Sequence, residues 1–177
     1  MIEHKDIVIH KYEVVDGIAT LPNTFFFKLL QQIMEEGAEN TFYLLAQPDT
    51  LDAFQFTHWC QSNNFYFVMY KGEPFGFTVV TEIRTGFGFI DIYVFKKHWG
   101  TDAADAGRMQ ATEWLLTNEW LSLLAFIPMN NEHMVRSLHK VKWKDLGILP
   151  KSRIDKKNNV LVDQLVGYGS REMYEVR

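Results

Sequence analysis

A single cysteine, Cys60, stands in 177 residues, which excludes an internal disulfide and any cysteine-based zinc cluster. That scarcity leads us to expect a cytoplasmic protein. No apolar run approaches the roughly 20 residues that span a bilayer. The opening stretch MIEHKDIVIHKYE is too charged for a signal peptide. We therefore expect no membrane partner. Internal repeats, low-complexity tracts and Pro/Gly linkers are also missing, so residues 1–177 are expected to form one domain. There is no excess of positive charge: 18 Lys+Arg stand against 22 Asp+Glu, which argues against a nucleic-acid partner. The phosphate-binding GxxxxGK[ST] and GxGxxG loops, the GxSxG elbow and the HExxH zinc motif are all absent. The histidines (4, 10, 58, 98, 133, 139) lack ligand spacing, and no metal is expected.

What is present is enough for a core. Hydrophobic residues make up 47% of the chain, and 14 Phe, seven Tyr and five Trp supply bulk without any covalent staple. Charge is uneven. Residues 1–60 hold three Lys against nine Asp/Glu, whereas residues 136–157 hold eight Lys/Arg against Asp145 and Asp155. A basic stretch of that kind is either a solvated face or a rim for an anionic ligand.

Apolar periodicity orders the elements. Residues 6–15 (DIVIHKYEVV) predict a strand. Asn23 or Thr24 is expected to cap a helix reaching Gly37, with Phe26, Leu29, Leu30, Ile33 and Met34 on one stripe. Pro48-Asp49 leads into a second helix, Thr50 to Ser62. Three strands follow, at 65–71, 75–83 and 87–95, joined by turns at 71–74 and 84–86. Helical spacing resumes from Ala103 through Leu115. Leu121–Ile127 predicts a short strand ended by Pro128, and Asn130 or Asn131 caps another helix. Trp143–Leu149 and Val160–Gly167 are the closing strands, around a polar loop at 151–159. A strand–helix–strand crossover within an otherwise antiparallel meander predicts an α/β (α+β) mixed sheet with helices on both faces. Phe25-Phe26-Phe27 and Trp59 read as core, or as the lining of a pocket.

One stretch has the form of an anion site. In Ile92–Ala106 an apolar strand runs through a short loop of small residues directly into a helix. The free amides at such a helix start, and its positive dipole end, suit a pyrophosphate. The run His98-Trp99-Gly100-Thr101-Asp102-Ala103-Ala104 resembles the coenzyme A loop of the GNAT N-acetyltransferase superfamily, especially its ribosomal-protein N-terminal acetyltransferase branch. Asn131 to Trp143 is similar to that branch's Asn-x-x-Ser-x-x-x-x-Glu-Lys-Leu-Gly-Phe helix, and Val162–Tyr168 followed by Arg171–Tyr174 to its last strand. The likeness covers about residues 65–175.

The resemblance implies a GNAT-like fold: a mostly antiparallel sheet in which the strand ending at Phe95 splays from its parallel neighbour Leu121–Ile127. It implies an acetyl-CoA-dependent N-acetyltransferase, with acetyl-CoA as co-substrate and a primary amine as acceptor, either a small molecule or a protein N-terminus or lysine. Direct attack on the thioester needs no covalent enzyme intermediate. Tyr93, Val94 and Phe95 would lie along the pantetheine arm. Trp99, Gly100, Thr101, Asp102, Ala103 and Ala104 would meet the pyrophosphate, and Asn131 would face the pantetheine or adenine. A homodimer is compatible with the family. The alternative is a degenerate GNAT-fold protein without catalysis, acting as a binding or structural module, a kind of role that phages also use.

Three departures matter. Asp102 stands at a usual glycine: either Asp102 or Thr101 caps the helix and fills the anion site itself, or Lys96, Lys97, Arg108 or the basic 136–157 stretch offsets the Asp102 charge. Met134 and Leu138 stand where relatives often carry a Ser or Tyr that protonates the leaving thiolate. Lys142 replaces a glycine. For the general base, Asp91 and Glu82 are the acidic candidates on the central strands, with Tyr93 nearby, and burial would raise the Asp91 pKa.

Overall fold

Phe, Tyr, Val and Ile recur at short intervals in three runs between residues 64 and 94. Each run is a strand in the computed structural model, which describes residues 6–37, 52–155 and 158–175. The elements are β1 (Ile7–Lys11), β2 (Val14–Val15), β3 (Ile18–Ala19), α1 (Asn23–Glu35), α2 (Ala53–Ser62), β4 (Asn64–Tyr70), β5 (Glu73–Arg84), β6 (Phe87–Val94), α3 (Asp102–Asn118), β7 (Ser122–Pro128), α4 (Glu132–Lys140), β8 (Lys144–Asp155) and β9 (Val160–Ser170). Seven strands form one mixed sheet in the order β1-β4-β5-β6-β7-β9-β8. Every ladder in it is antiparallel except β6–β7. That parallel pairing runs only from Phe87↔Ser122 to Phe89↔Leu124 and then stops, so residues 90–94 of β6 part from β7.

Helices cover both faces of the sheet. α1 and α2 bring Phe26, Leu29, Ile33 and Phe56 onto Phe65, Phe77, Val79 and Tyr93. α3 and α4 bring Leu115, Leu116 and Leu138 onto Ile90, Leu123 and Ile127. Gly107 lets α3 approach closely, since a Cβ there would sit 2.5 Å from the Phe75 ring. Phe26 is fully buried and Phe25 and Trp59 pack against the same core, with Phe25 edge-on to Phe65 and Phe67, whereas Phe27 is half-buried against the exposed Phe54.

Several local expectations are corrected. The strand expected at 6–15 ends at Lys11, after which β2 and β3 form a small hairpin. Its turn is Asp16-Gly17, both at positive φ, which suits a two-residue connection. Pro22, not Asn23 or Thr24, occupies the cap position of α1, and the Asn23 side-chain Oδ1 instead accepts from Gln61 Nε2 at 2.7 Å. Met34 is exposed rather than on the buried stripe. Asp52 caps α2 by accepting from the Phe54 amide at 2.6 Å, while Pro48, Asp49 and Thr50 lie outside the described residues. The polar loop expected from 151 shrinks, because β8 continues to Asp155.

β8 is a sheet edge. Large apolar side chains on the β8–β9 ribbon stand in solvent, among them Leu146, Ile148, Ile154 and Leu161.

Candidate active site

The end of β6 is tied to β5, where the Phe95 amide donates to the Phe75 carbonyl at 2.9 Å. One turn of 3-10 helix (Lys96–His98) follows, and Gly100 at φ +72° turns the chain with open space on its Cβ side. Thr101 caps α3: its Oγ1 accepts from the Ala104 amide at 3.3 Å and donates to the His98 carbonyl at 2.6 Å. The Asp102 and Ala103 amides have no partner one turn earlier in the helix and remain as donors. The Trp99 indole donates to the Val94 carbonyl at 2.7 Å and occupies that atom of the β6 edge.

Asp102 is exposed in the first turn, and among the described residues it makes no ion pair. The cations expected to offset it are engaged elsewhere. Lys96 Nζ donates to the Glu36 carbonyl, Lys97 pairs with Glu73, and Arg108 pairs with Asp105 at 3.1 Å. From the basic stretch, Lys140 also pairs with Asp105, and the two cations hold that carboxyl below its ordinary range.

The space between the parted strands is narrow. Two small cavities, of about 10 and 30 Å³, lie under α3 and share Ile92, Arg108 and Thr112. The larger also reaches Ala125 and Ile127 on β7 and Met134 and Ser137 on α4. Arg108 is only 12% exposed and crosses this space, donating through Nη1 to the Met134 sulfur at 2.9 Å. Asn131 caps α4, accepting from the Met134 amide at 3.3 Å.

On the other face, Asp91 and Tyr93 project from alternate positions of β6 toward α1 and α2. Asp91 is half-buried. Burial pushes its carboxyl up to about 7, while the Arg153 guanidinium from β8 pulls it the other way. The Tyr93 hydroxyl donates to the Glu36 carboxylate at the end of α1, and the Lys96 amide donates to the same oxygen at 3.0 Å. Glu82 is not part of this group. It pairs with Gly88, is exposed, and lies on the opposite face of the sheet.

No family model matches this chain, and no curated protein does. Solved structures do match. The ribosomal L7/L12 alpha-N-protein acetyltransferase RimL in complex with coenzyme A superposes with a TM-score of 0.68 at 10% identity, over 91% of this chain and 98% of that one. The spermidine/spermine N-acetyltransferase SpeG from Vibrio cholerae gives 0.72 at 12% identity, over 96% of each chain. The microcin C7 self-immunity acetyltransferase MccE, in complex with acetyl-CoA and AMP, gives 0.64 at 12% identity over 93% and 92%. The chain has the GNAT fold. The expected mixed sheet with one parted parallel pair is the architecture it shares with these GNAT structures.

Two neighbours of these candidate site residues were not legible as such in the sequence. Glu36 sits at a helix C-terminus, where a carboxylate opposes the helix dipole, and that misplacement was its one local signal. Arg153 falls in a stretch that reads as loop, but it belongs to β8, just past a register shift after Leu149, and its charge acts on Asp91.

Proposed function

We propose that this chain is an acetyl-CoA-dependent N-acetyltransferase acting on a primary amine. The observation that carries the reading is the parting of β6 from β7 after Phe89, beside the free amides of α3. A thioester arm entering that gap pairs with the edge at Tyr93, Val94 and Phe95. The diphosphate meets the amides left free at the helix start, those of Asp102 and Ala103, where Gly100 leaves room for it. The acceptor approaches from the face that carries Asp91 and Tyr93. The transferred proton goes to Asp91, whose carboxyl sits near neutral pH and suits a general base. The amine nitrogen attacks the carbonyl carbon directly. We include in the reading a homodimer joined through the exposed β8 edge.

A second reading is favoured by the crowding of the gap. Arg108 and Met134 fill it and Trp99 holds the Val94 carbonyl, as in a binding module that has lost the co-substrate. Calorimetry with acetyl-CoA separates the two. The enzyme reading expects a dissociation constant in the micromolar range and a raised melting temperature, followed by acetyl transfer across a panel of polyamines, amino-sugars and peptides. No heat at millimolar acetyl-CoA leaves the module.

A further inference from the structure

Resting on the acetyltransferase reading, the geometry points to Arg108 as the group that receives the departing thiolate of coenzyme A, with the Met134 sulfur marking the place of the coenzyme's own.

Direct transfer leaves a thiolate, and a buried anion needs a cation or an acid beside it. Neither Met134 nor Leu138 on α4 offers an acidic proton, and Ser137, buried on the same helix, offers only a weak one. Arg108 offers a fixed positive charge. It projects from the second turn of α3, lines the larger cavity between β6, β7 and α4 as well as the smaller one between α3 and β4–β6, and is almost wholly enclosed. Its orientation is fixed by the rest of the guanidinium. Nε donates to the Ala104 carbonyl at 3.1 Å and Nη2 to Asp105 at 3.1 Å, with Lys140 sharing Asp105 on the far side. Nη1 is then aimed into the gap, where its partner is a thioether sulfur at 2.9 Å.

A thioether is a weak acceptor, so this contact gives Arg108 little in return for its burial. A thiolate in the same place gains the full charge–charge attraction in a water-poor site, and that gain appears only as the C–S bond breaks. Met134 is the side chain best able to vacate the place, being unbranched and flexible. In the step itself the amine lone pair forms the C–N bond, and the C–S bond breaks with its electron pair on sulfur. The thiolate stays paired with Arg108 until solvent protonates it. The ammonium proton leaves to Asp91. Arg108 transfers no proton.

The test needs no acceptor. Free coenzyme A is bound to the wild type and to Arg108→Met and Arg108→Lys, with folding checked by melting and binding by calorimetry. The thiolate is then followed by its ultraviolet absorbance as pH is raised. In the wild type the bound thiol is expected to ionise at least about one pH unit below free coenzyme A, a tenfold gain in thiolate at a given pH. Arg108→Met should abolish that shift while still binding, and Arg108→Lys should keep part of it. Coenzyme heat with an unshifted thiol in the wild type overturns the role of Arg108 and leaves the acetyltransferase reading standing. No coenzyme heat overturns both.

Discussion

Asp102→Asn removes one negative charge from the first turn of α3 and keeps the side-chain shape. Asp102 is exposed and without an ion pair among the described residues, so no neighbouring cation already cancels its charge there. A unit charge about 4 Å from a phosphate charge costs roughly 1 kcal/mol in water and up to about 4 at a surface-like effective dielectric. The exposure of Asp102 places it at the low end, about 1–2 kcal/mol, so the variant should bind coenzyme A roughly five- to thirtyfold more tightly. The helix loses a favourable charge at its positive end and should be destabilised by about 0.3–1 kcal/mol. Calorimetry at low and at high salt tests both the size and the cause. The gain should shrink toward nothing near 1 M salt, where the screening length falls to about 3 Å. An unchanged dissociation constant at low salt would refute the placement of the diphosphate at this helix start. A gain that survives high salt would refute the electrostatic argument.

Asp91 should make stability depend on pH. Its folded pKa of about 7 lies above the unfolded value, so its contribution is fully present below about pH 4 and is lost as pH rises through 7. Against Asp91→Asn, which does not titrate, the wild type should lose relative stability from pH 4 to 7 and then level off, by a few kcal/mol at most, as read by chemical denaturation. Gly107→Ala forces a methyl to 2.5 Å from the Phe75 ring and should cost about 1–3 kcal/mol, part of it recovered by adding Phe75→Leu. Ile148→Lys places a charge on the open β8 edge; if that edge joins two copies, light scattering should show the wild type as a dimer and the variant as a monomer.

Local features were legible because local chemistry writes them. The strand–loop–helix at 92–106 needs only an apolar run, small residues and a capping Thr101, all adjacent in the chain. The period of two on β6 is enough to put Asp91 and Tyr93 on one face. What the sequence hid was non-local. Glu36 meets Tyr93 across 57 residues, and no spacing rule reaches that far. The end of β8 reads as loop because Lys151, Ser152 and Arg153 are polar, yet an edge strand tolerates polar residues where a central strand does not. The offset expected for Asp102 fell instead on Asp105, one turn on, a choice made by where α4 packs.

The β8–β9 ribbon has a further consequence. Its strands pair with each other on both sides of two register shifts, but among the described residues β8 has no outer neighbour and little of the ribbon's distal half is buried. Such a unit can open while β4, β5 and β6 stay closed, because little burial is lost when it does. Its amides would then exchange with solvent by fraying, and the charge that Arg153 holds beside Asp91 would come and go on that timescale. The acidity of Asp91 would follow the breathing of a sheet edge rather than the stability of the whole fold.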